Sequence, residues 1–327
     1  MNPSTVSILM PAFRPHATFL REAIESVMRQ THPHWTLLVH DDPSDTDTEA
    51  IVRPYLHDER ISFGRSKKRL GIGGNWNACL RQARGDCVQF LFQDDVWREG
   101  YLAACVAALG REPSAGMVMV HHPYRADGDR AEHFMAAAGY DVLPALRREA
   151  IPPGKHDGTA LLLAWLERGL RPNLIGEPSF VMLRRSVTEQ AGTFLEDMTQ
   201  GLDVEYWTRA LQKTSLVAID ENLGFFRVHA DGASMRNEEA GQGLYDRLRC
   251  FETLLHALPY GTLRRTTERA VAEQLGVMAR KFFARLRGGK RVDGGGAGGA
   301  LSFSLRHPLL LIRGLLTLAQ PERAPVL

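Results

Sequence analysis

Cysteine is scarce in this chain, and its four copies, Cys79, Cys87, Cys105 and Cys250, show no CxxC spacing. That excludes the usual zinc-ribbon and thioredoxin-like signatures. Because Met1 to Val6 also lacks an apolar leader, free thiols in a reducing, cytoplasmic location are the expectation. Long hydrophobic runs are missing too. No stretch reaches the ~18 uninterrupted apolar residues of a spanning helix, and Leu305 to Ala319 comes nearest. Glycine is absent from the turn after the first apolar run, which reads Pro11-Ala12-Phe13-Arg14-Pro15, and GxxxxGK followed by Ser or Thr occurs nowhere. A dinucleotide fold needs glycine there for close approach of a pyrophosphate, and a P-loop needs the second motif, so neither applies. A nucleotidyltransferase is disfavoured because no Gly-rich turn followed by Arg and Lys ends the first strand.

What is present is an ordinary globular composition, 44% hydrophobic and 24% charged, over 327 residues. The net charge of +2 conceals an uneven distribution: Leu244 to Arg291 carries eleven Arg or Lys against four acids. That end is expected to face something anionic, and nucleic acid is not the expected partner.

Apolar periodicity predicts strands over Val6 to Ala12, Trp35 to His40, Ile61 to Phe63, Cys87 to Phe92 and Met117 to Val120. Between them it predicts helices over Ala17 to Gln30, Asp47 to Leu56, Gly71 to Ala83 and Gly100 to Leu109. Pro123 to Gly176 reads as irregular apart from a helix over Thr159 to Leu170. Strands return at Ser179 to Leu183, Leu216 to Ile219 and Phe225 to Val228, with a helix over Asp203 to Gln212. From Leu244 to Leu286 the pattern is helical, and Gly288 to Gly299 is a Gly-rich linker. Alternating strands and helices imply an α/β fold with a mostly parallel central sheet, Rossmann-like, flanked by helices, with a C-terminal helical extension. The expected division is a catalytic domain over 1–240, a basic helical extension over 241–287, a linker over 288–299 and an amphipathic, apolar segment over 300–327.

Such sheets bind ligands at the carboxyl ends of their strands. Two acidic pairs fall there, Asp41-Asp42 and Asp94-Asp95, the second at the end of Phe90-Leu91-Phe92-Gln93. Adjacent carboxylates repel unless a cation or several donors lie between them, which makes Asp94-Asp95 a candidate metal site; a turn that caps the next helix uses the same residues. Gly71-Ile72-Gly73-Gly74, ahead of a helix, could lend amides to phosphate or be a simple loop.

The ordered series Val6-Ser7-Ile8-Leu9-Met10-Pro11-Ala12-Phe13, Ala23-Ile24-Glu25-Ser26-Val27, Gln30-Thr31 and Val39-His40-Asp41-Asp42-Pro43-Ser44 resembles the opening of the family 2 nucleotide-sugar glycosyltransferases. Leu70-Gly71 with Asn75 and Asn77, Ala83-Arg84-Gly85-Asp86 and Gln93-Asp94-Asp95 continue it, over roughly residues 5 to 230. The resemblance implies a glycosyltransferase A fold and an inverting, hexosyltransferase-type transfer from a nucleoside diphosphate sugar to a glycan or lipid-linked hydroxyl, in polysaccharide or surface-glycan assembly. It places Pro11, Phe13, Asp41, Asp42, Gly73, Asn75, Gln93, Asp94 and Arg227 around the donor. It implies Mg²⁺ or Mn²⁺ held by Asp94, Asp95 and His229, the last from Phe226-Arg227-Val228-His229. Phe92 departs from the pattern, standing where many members have the first Asp of the motif. The base position maps onto Asp203 in Gly201-Leu202-Asp203-Val204-Glu205, with Leu202 replacing the usual Glu and Glu205 the alternative carboxylate. An N-cap role for Asp203, and a non-catalytic sugar-nucleotide or glycan-binding module, are the competing readings.

Leu305 to Leu318 is apolar apart from Arg306, His307, Arg313 and Thr317. It suits an anionic membrane surface, which would make the chain peripheral on the inner face of the membrane, or a protein groove or second subunit.

Overall fold

The computed structural model describes residues 4–239, 243–286 and 303–319. Strand β1 (Val6–Ala12) is buried along its whole length. Alternate residues face two cores: Ile8 and Met10 join Leu20, Ile24 and Val27 of α1 (Ala17–Met28), and Leu9 joins the other. A strand buried on both faces belongs inside a sheet that helices cover on each side.

That sheet has eight strands in the order β3 (Ile61–Arg65), β2 (Trp35–Asp41), β1, β4 (Cys87–Phe90), β9 (Val181–Arg184), β6 (Ala115–Val120), β10 (Ser215–Ile219) and β8 (Gly154–His156). The pairs β1–β2, β1–β4, β2–β3 and β6–β10 are parallel. Strand β9 runs antiparallel between β4 and β6, and β8 closes the edge antiparallel to β10. A second, three-stranded sheet places β11 (Gly224–His229) between β5 (Val96–Trp97) and β7 (Tyr124–Asp127).

Helices α1, α2 (Thr48–Val52) and α4 (Tyr101–Arg111) cover one face of the large sheet. On the other lie α3 (Gly71–Leu80), α7 (Gly158–Glu167), α8 (Arg185–Ala191) and α9 (Leu202–Leu211). The C-terminal part adds α10 (Ala233–Glu239), α11 (Gly243–Ala257), α12 (Thr262–Leu286) and α13 (Pro308–Ala319). Helix α11 packs on α9, α12 on α7 and α11, and α13 on α12. A Cβ at Gly314 of α13 would stand 2.2 Å from Leu275 Cδ1, so the bare backbone there lets the two helices approach. No described helix is long and apolar enough to cross a membrane.

The mixed α/β architecture agrees with the sequence pattern, and the differences have local causes. The helix expected over Asp47 to Leu56 ends at Val52 and gives way to a 3₁₀ turn, Arg53–Tyr55, because Pro54 has no N–H to continue the ladder. The helical run from Leu244 breaks at Pro259 into α11 and α12 for the same reason. The stretch read as irregular holds β7, α5 (Asp129–Ala138), α6 (Leu143–Ala150), β8 and α7. Its α5 buries only Ala131, so it carries no apolar stripe for periodicity to register. The Gly-rich stretch 288–299 lies outside the described residues.

Candidate active site

At the carboxyl ends of β1, β2 and β4 the polar residues first hold one another. Asp41 is fully buried and accepts from Thr48 Oγ1 and from Arg65 Nε, each at 2.7 Å. Asp42 accepts from the amides of Leu70 (2.6 Å) and Gly71 (3.0 Å), where α3 begins. Asn75 donates to the carbonyls of Ala12 (3.1 Å) and His40 (3.3 Å), and its Oδ1 meets His40 Nδ1 at 2.7 Å. These contacts staple α3 to the ends of β1 and β2. Pro11 is buried inside β1.

Gln93 grips Phe13, accepting from its amide at 2.8 Å and donating to its carbonyl at 3.2 Å. The half-buried Phe13 ring is flanked by the guanidinium of Arg69, 4.4 Å from its centre, and that of Arg14 at 5.5 Å. A flat apolar face bordered by cations suits a nucleobase joined to phosphates. At Gly73 the backbone of α3 meets a neighbouring loop closely. A Cβ there would stand 2.8 Å from Leu195 O and 3.0 Å from Glu196 Cα, so its missing side chain admits the loop ahead of α9.

Asp94 and Asp95 follow Gln93 and point to different surroundings. Asp94 Oδ2 lies 2.9 Å from His229 Nε2, at the end of β11. Asp95, expected beside it as a metal ligand, is instead fully buried. Its Oδ2 accepts from Ser179 Oγ at 2.5 Å and its Oδ1 from the Arg227 amide at 2.9 Å. Burial and the charge of Asp94 hold its carboxyl well above the usual range. Arg227, expected to face phosphate, is likewise turned inward. Its guanidinium donates to Asp94 O at 2.9 Å, pairs with Glu22 and stacks 4.1 Å from the Phe19 ring centre. It locks the Asp94-Asp95 turn in place. Among the described residues no three acidic, His or Cys side chains form a metal-binding group. Asp94 and His229 together offer an oxygen and a nitrogen donor, a set that fits Mg²⁺ or Mn²⁺ when a diphosphate supplies further oxygens.

Asp203 occupies the first turn of α9, after Gly201 in the left-handed conformation with φ 75°. Asn173 Nδ2 donates to its Oδ2 at 2.8 Å. Burial, helped by the negative charge of Glu177, pushes its carboxyl up to about 6. Glu205, the alternative carboxylate, is fully buried and bound through both oxygens to Arg209, at 2.8 and 2.7 Å. Leu202 faces the core.

Between the two acidic centres lies a cluster that sequence reading missed. The Glu177 carboxylate accepts from Tyr124 OH (2.7 Å) and from Arg147 (3.1 and 3.2 Å), and lies 2.7 Å from His122 Nε2. The negative charge of Glu177 acts on both Asp95 and Asp203. Arg147, fully buried, also donates to Asn173 O at 2.8 Å. The findable signals were His121-His122 at the end of a strand and an acid between Gly176 and Pro178.

Comparison with known proteins adds to this geometry. Residues 7–164 match the glycosyl transferase family 2. Uncharacterized protein MT1568 of Mycobacterium tuberculosis is 28% identical over 258 residues, 78% of this chain and 77% of that protein. The UDP-Glc:alpha-D-GlcNAc-diphosphoundecaprenol beta-1,3-glucosyltransferase WfgD of Escherichia coli is 36% identical over 97 residues, 30% of this chain and 38% of that one. The chain thus matches little more than a third of the length of this second relative. Among solved structures, S. aureus TarS 1-349 in complex with UDP-GlcNAc superposes with a TM-score of 0.62 at 16% identity, covering 95% of this chain and 79% of that one. The mannosyltransferase PcManGT of Pyrobaculum calidifontis, solved with GDP-Man and Mn2+, gives a TM-score of 0.56 at 16% identity, covering 98% and 89%. The matched family, the motif series and the shared fold lead to one conclusion: residues 7–164 are a glycosyl transferase family 2 region, set in a chain with a glycosyltransferase A fold.

Proposed function

We propose that the chain transfers a sugar from a nucleoside diphosphate sugar to an acceptor hydroxyl, with inversion, and that Asp203 is the general base. The observation that carries this reading is the Asp203 carboxyl itself. It is half-buried, oriented by Asn173, and raised to about 6, where it is ionised at neutral pH yet basic enough to take a proton. Glu205 is held by Arg209 and does not compete for the role.

The acceptor oxygen attacks the anomeric carbon from the face opposite the diphosphate while its proton passes to Asp203. The bond from that carbon to the diphosphate oxygen breaks, the electron pair leaves with the nucleoside diphosphate, and a single displacement inverts the centre. Phe13 and Arg69 are assigned to the nucleotide, with Gln93 holding Phe13 in place. Asp94 and His229 are assigned to a divalent cation, which when bound neutralises charge on the diphosphate. Asp41, Asp42, Gly73, Asn75, Asp95 and Arg227 act behind this surface as its frame.

Residues 1–240 are assigned to the catalytic domain, with the remaining helices as an extension packed against it. A lipid-linked acceptor is favoured by the outer face of the C-terminal segment, where Leu305, Leu309, Ile312 and Leu316 are exposed at helical spacing. That face is assigned to an anionic bilayer surface. The reading is tested by Asp203→Asn against a panel of UDP, GDP and dTDP sugars with Mn²⁺. The variant is expected to bind the donor and to lose transfer by about 10²-fold or more. Donor binding by the unsubstituted chain with neither transfer nor donor hydrolysis would instead support a binding module.

A further inference from the structure

The segment between α8 and α9 has no regular secondary structure, yet it leads straight into the first turn of α9, which carries Asp203. Its first half is held by α3: Asn77 Oδ1 accepts from the Phe194 amide at 2.8 Å, and Asn77 Nδ2 donates to Phe194 O at 2.9 Å. Its second half is held from the C-terminal helices. Asp246 Oδ2 of α11 accepts from the amides of Thr199 (3.1 Å) and Gln200 (2.5 Å), just ahead of Gly201 and Asp203. Asn237 Nδ2 of α10 donates to Thr199 O at 2.6 Å. Arg249 Nε bonds Asp197 Oδ2 at 2.9 Å, while its Nη1 meets Glu252 at 2.7 Å. The same Glu252 oxygen lies 2.8 Å from His307 Nδ1, immediately before α13.

A buried carboxylate is expensive to keep unless it has donors to satisfy. Asp246 is buried, and burial pushes its carboxyl up to about 6 against the pull of the two loop amides. A hydrophobic residue would serve the packing of α11 on α9 at less cost. The polar choice is matched to the loop's amides, in a loop that also needs Gly201 in the left-handed region to turn into α9.

We propose that α11 is a clamp on the base loop, with Asp246 and Arg249 as positioning residues for Asp203. This rests on the assignment of Asp203 as base. A shift of about 1 Å in a reacting group can lower turnover by about 10²-fold, so a surface clamp on such a loop acts on kcat rather than on donor affinity.

The test uses the full chain with Asp246→Ala, Asp246→Asn and Arg249→Ala, and Glu268→Ala on α12 as a control expected to leave turnover unchanged. Asp246→Ala is expected to lower kcat by about tenfold or more with the donor KM within about twofold, and to speed amide hydrogen exchange across 198–204. Asp246→Asn keeps an acceptor oxygen and is expected to recover most of the kcat. If Asp246→Ala fails to fold, Arg249→Ala, which leaves α11 packed, is expected to give the same split with a smaller loss. Normal kcat in a folded Asp246→Ala, or in Arg249→Ala where Asp246→Ala does not fold, would overturn the clamp. So would a donor KM that rises in step with the loss of kcat. Full turnover in Asp203→Asn would sink the base assignment instead, and faster exchange across 198–204 in Asp246→Ala would still report the physical tie.

Discussion

Asp94 Oδ2 sits 2.9 Å from His229 Nε2, which joins the turn after β4 to the last residue of β11. The neighbouring carboxylate of Asp95 shares none of this and has both oxygens in bonds to Ser179 and Arg227. Two adjacent acids therefore divide into one that can meet a cation and one that holds the turn. Asp94→Ala is expected to reduce transfer by about 10²-fold or more with the fold intact. Asp95→Ala leaves the Ser179 hydroxyl and the Arg227 amide unpaired and is expected to destabilise the protein by about 1–3 kcal/mol. EDTA should abolish turnover and Mn²⁺ or Mg²⁺ restore it; turnover indifferent to the chelator would remove the metal role.

The pH dependence follows from Asp203. A base must be ionised, so kcat is expected to rise with pH through about 6. Stability runs the other way. A carboxyl raised in the folded state from 3.8 to about 6 contributes stability at low pH that is lost as pH rises through about 6. Asp203→Asn, uncharged throughout, should be more stable than the parent by about 1–3 kcal/mol at pH 8 and little different at pH 4. Urea denaturation at the two values checks this, and equal midpoints at pH 8 would contradict the burial argument.

Glu177 tunes the same group. Its negative charge helps raise the Asp203 carboxyl, so Glu177→Gln should move the acidic limb of the kcat profile to lower pH. It also strips Arg147 of its anionic partner, and loss of one member of a buried pair costs about 3–5 kcal/mol. The variant is therefore expected to be markedly less stable and shifted in its profile. An unmoved limb would mean that Glu177 serves packing alone.

For the C-terminal face, Leu309→Gln with Ile312→Gln should abolish cosedimentation with anionic phosphatidylglycerol vesicles while leaving the melting temperature within a few degrees. Both side chains are exposed, at 64% and 52%, so their replacement opens no cavity. Unchanged sedimentation, or a shift to a monomer in solution, would assign the face to protein instead.

Much of the fold was legible because β1 and β4 are mostly apolar and buried throughout, and α1 has a clear stripe. The polar residues at the strand ends were legible as a set but not in their contacts. A sequence shows that Asp42 and Asn75 are polar and near strand ends. It does not show that the amides of Leu70 and Gly71, or the carbonyls of Ala12 and His40, already occupy them. Arg147 escaped because α5 and α6 each bury a single residue and show no apolar period, and Asn173 and Glu177 because they lie outside any helix or strand. Asp246 escaped because its partners are backbone amides, which no side-chain pattern announces.

The reversed direction of β9 has a geometric result. Its neighbours β4 and β6 end at the ligand edge, whereas β9 begins there, so Glu177 and Ser179 reach the site from a strand's entrance beside its neighbours' exits. Ser179, two residues ahead of β9, is then brought to Asp95 by the ladder that pairs Val88 with Leu183 and Gln89 with Met182. A slip of that register would turn each side chain to the opposite face and part Ser179 from Asp95, so the catalytic edge and the sheet's alignment stand or fall together.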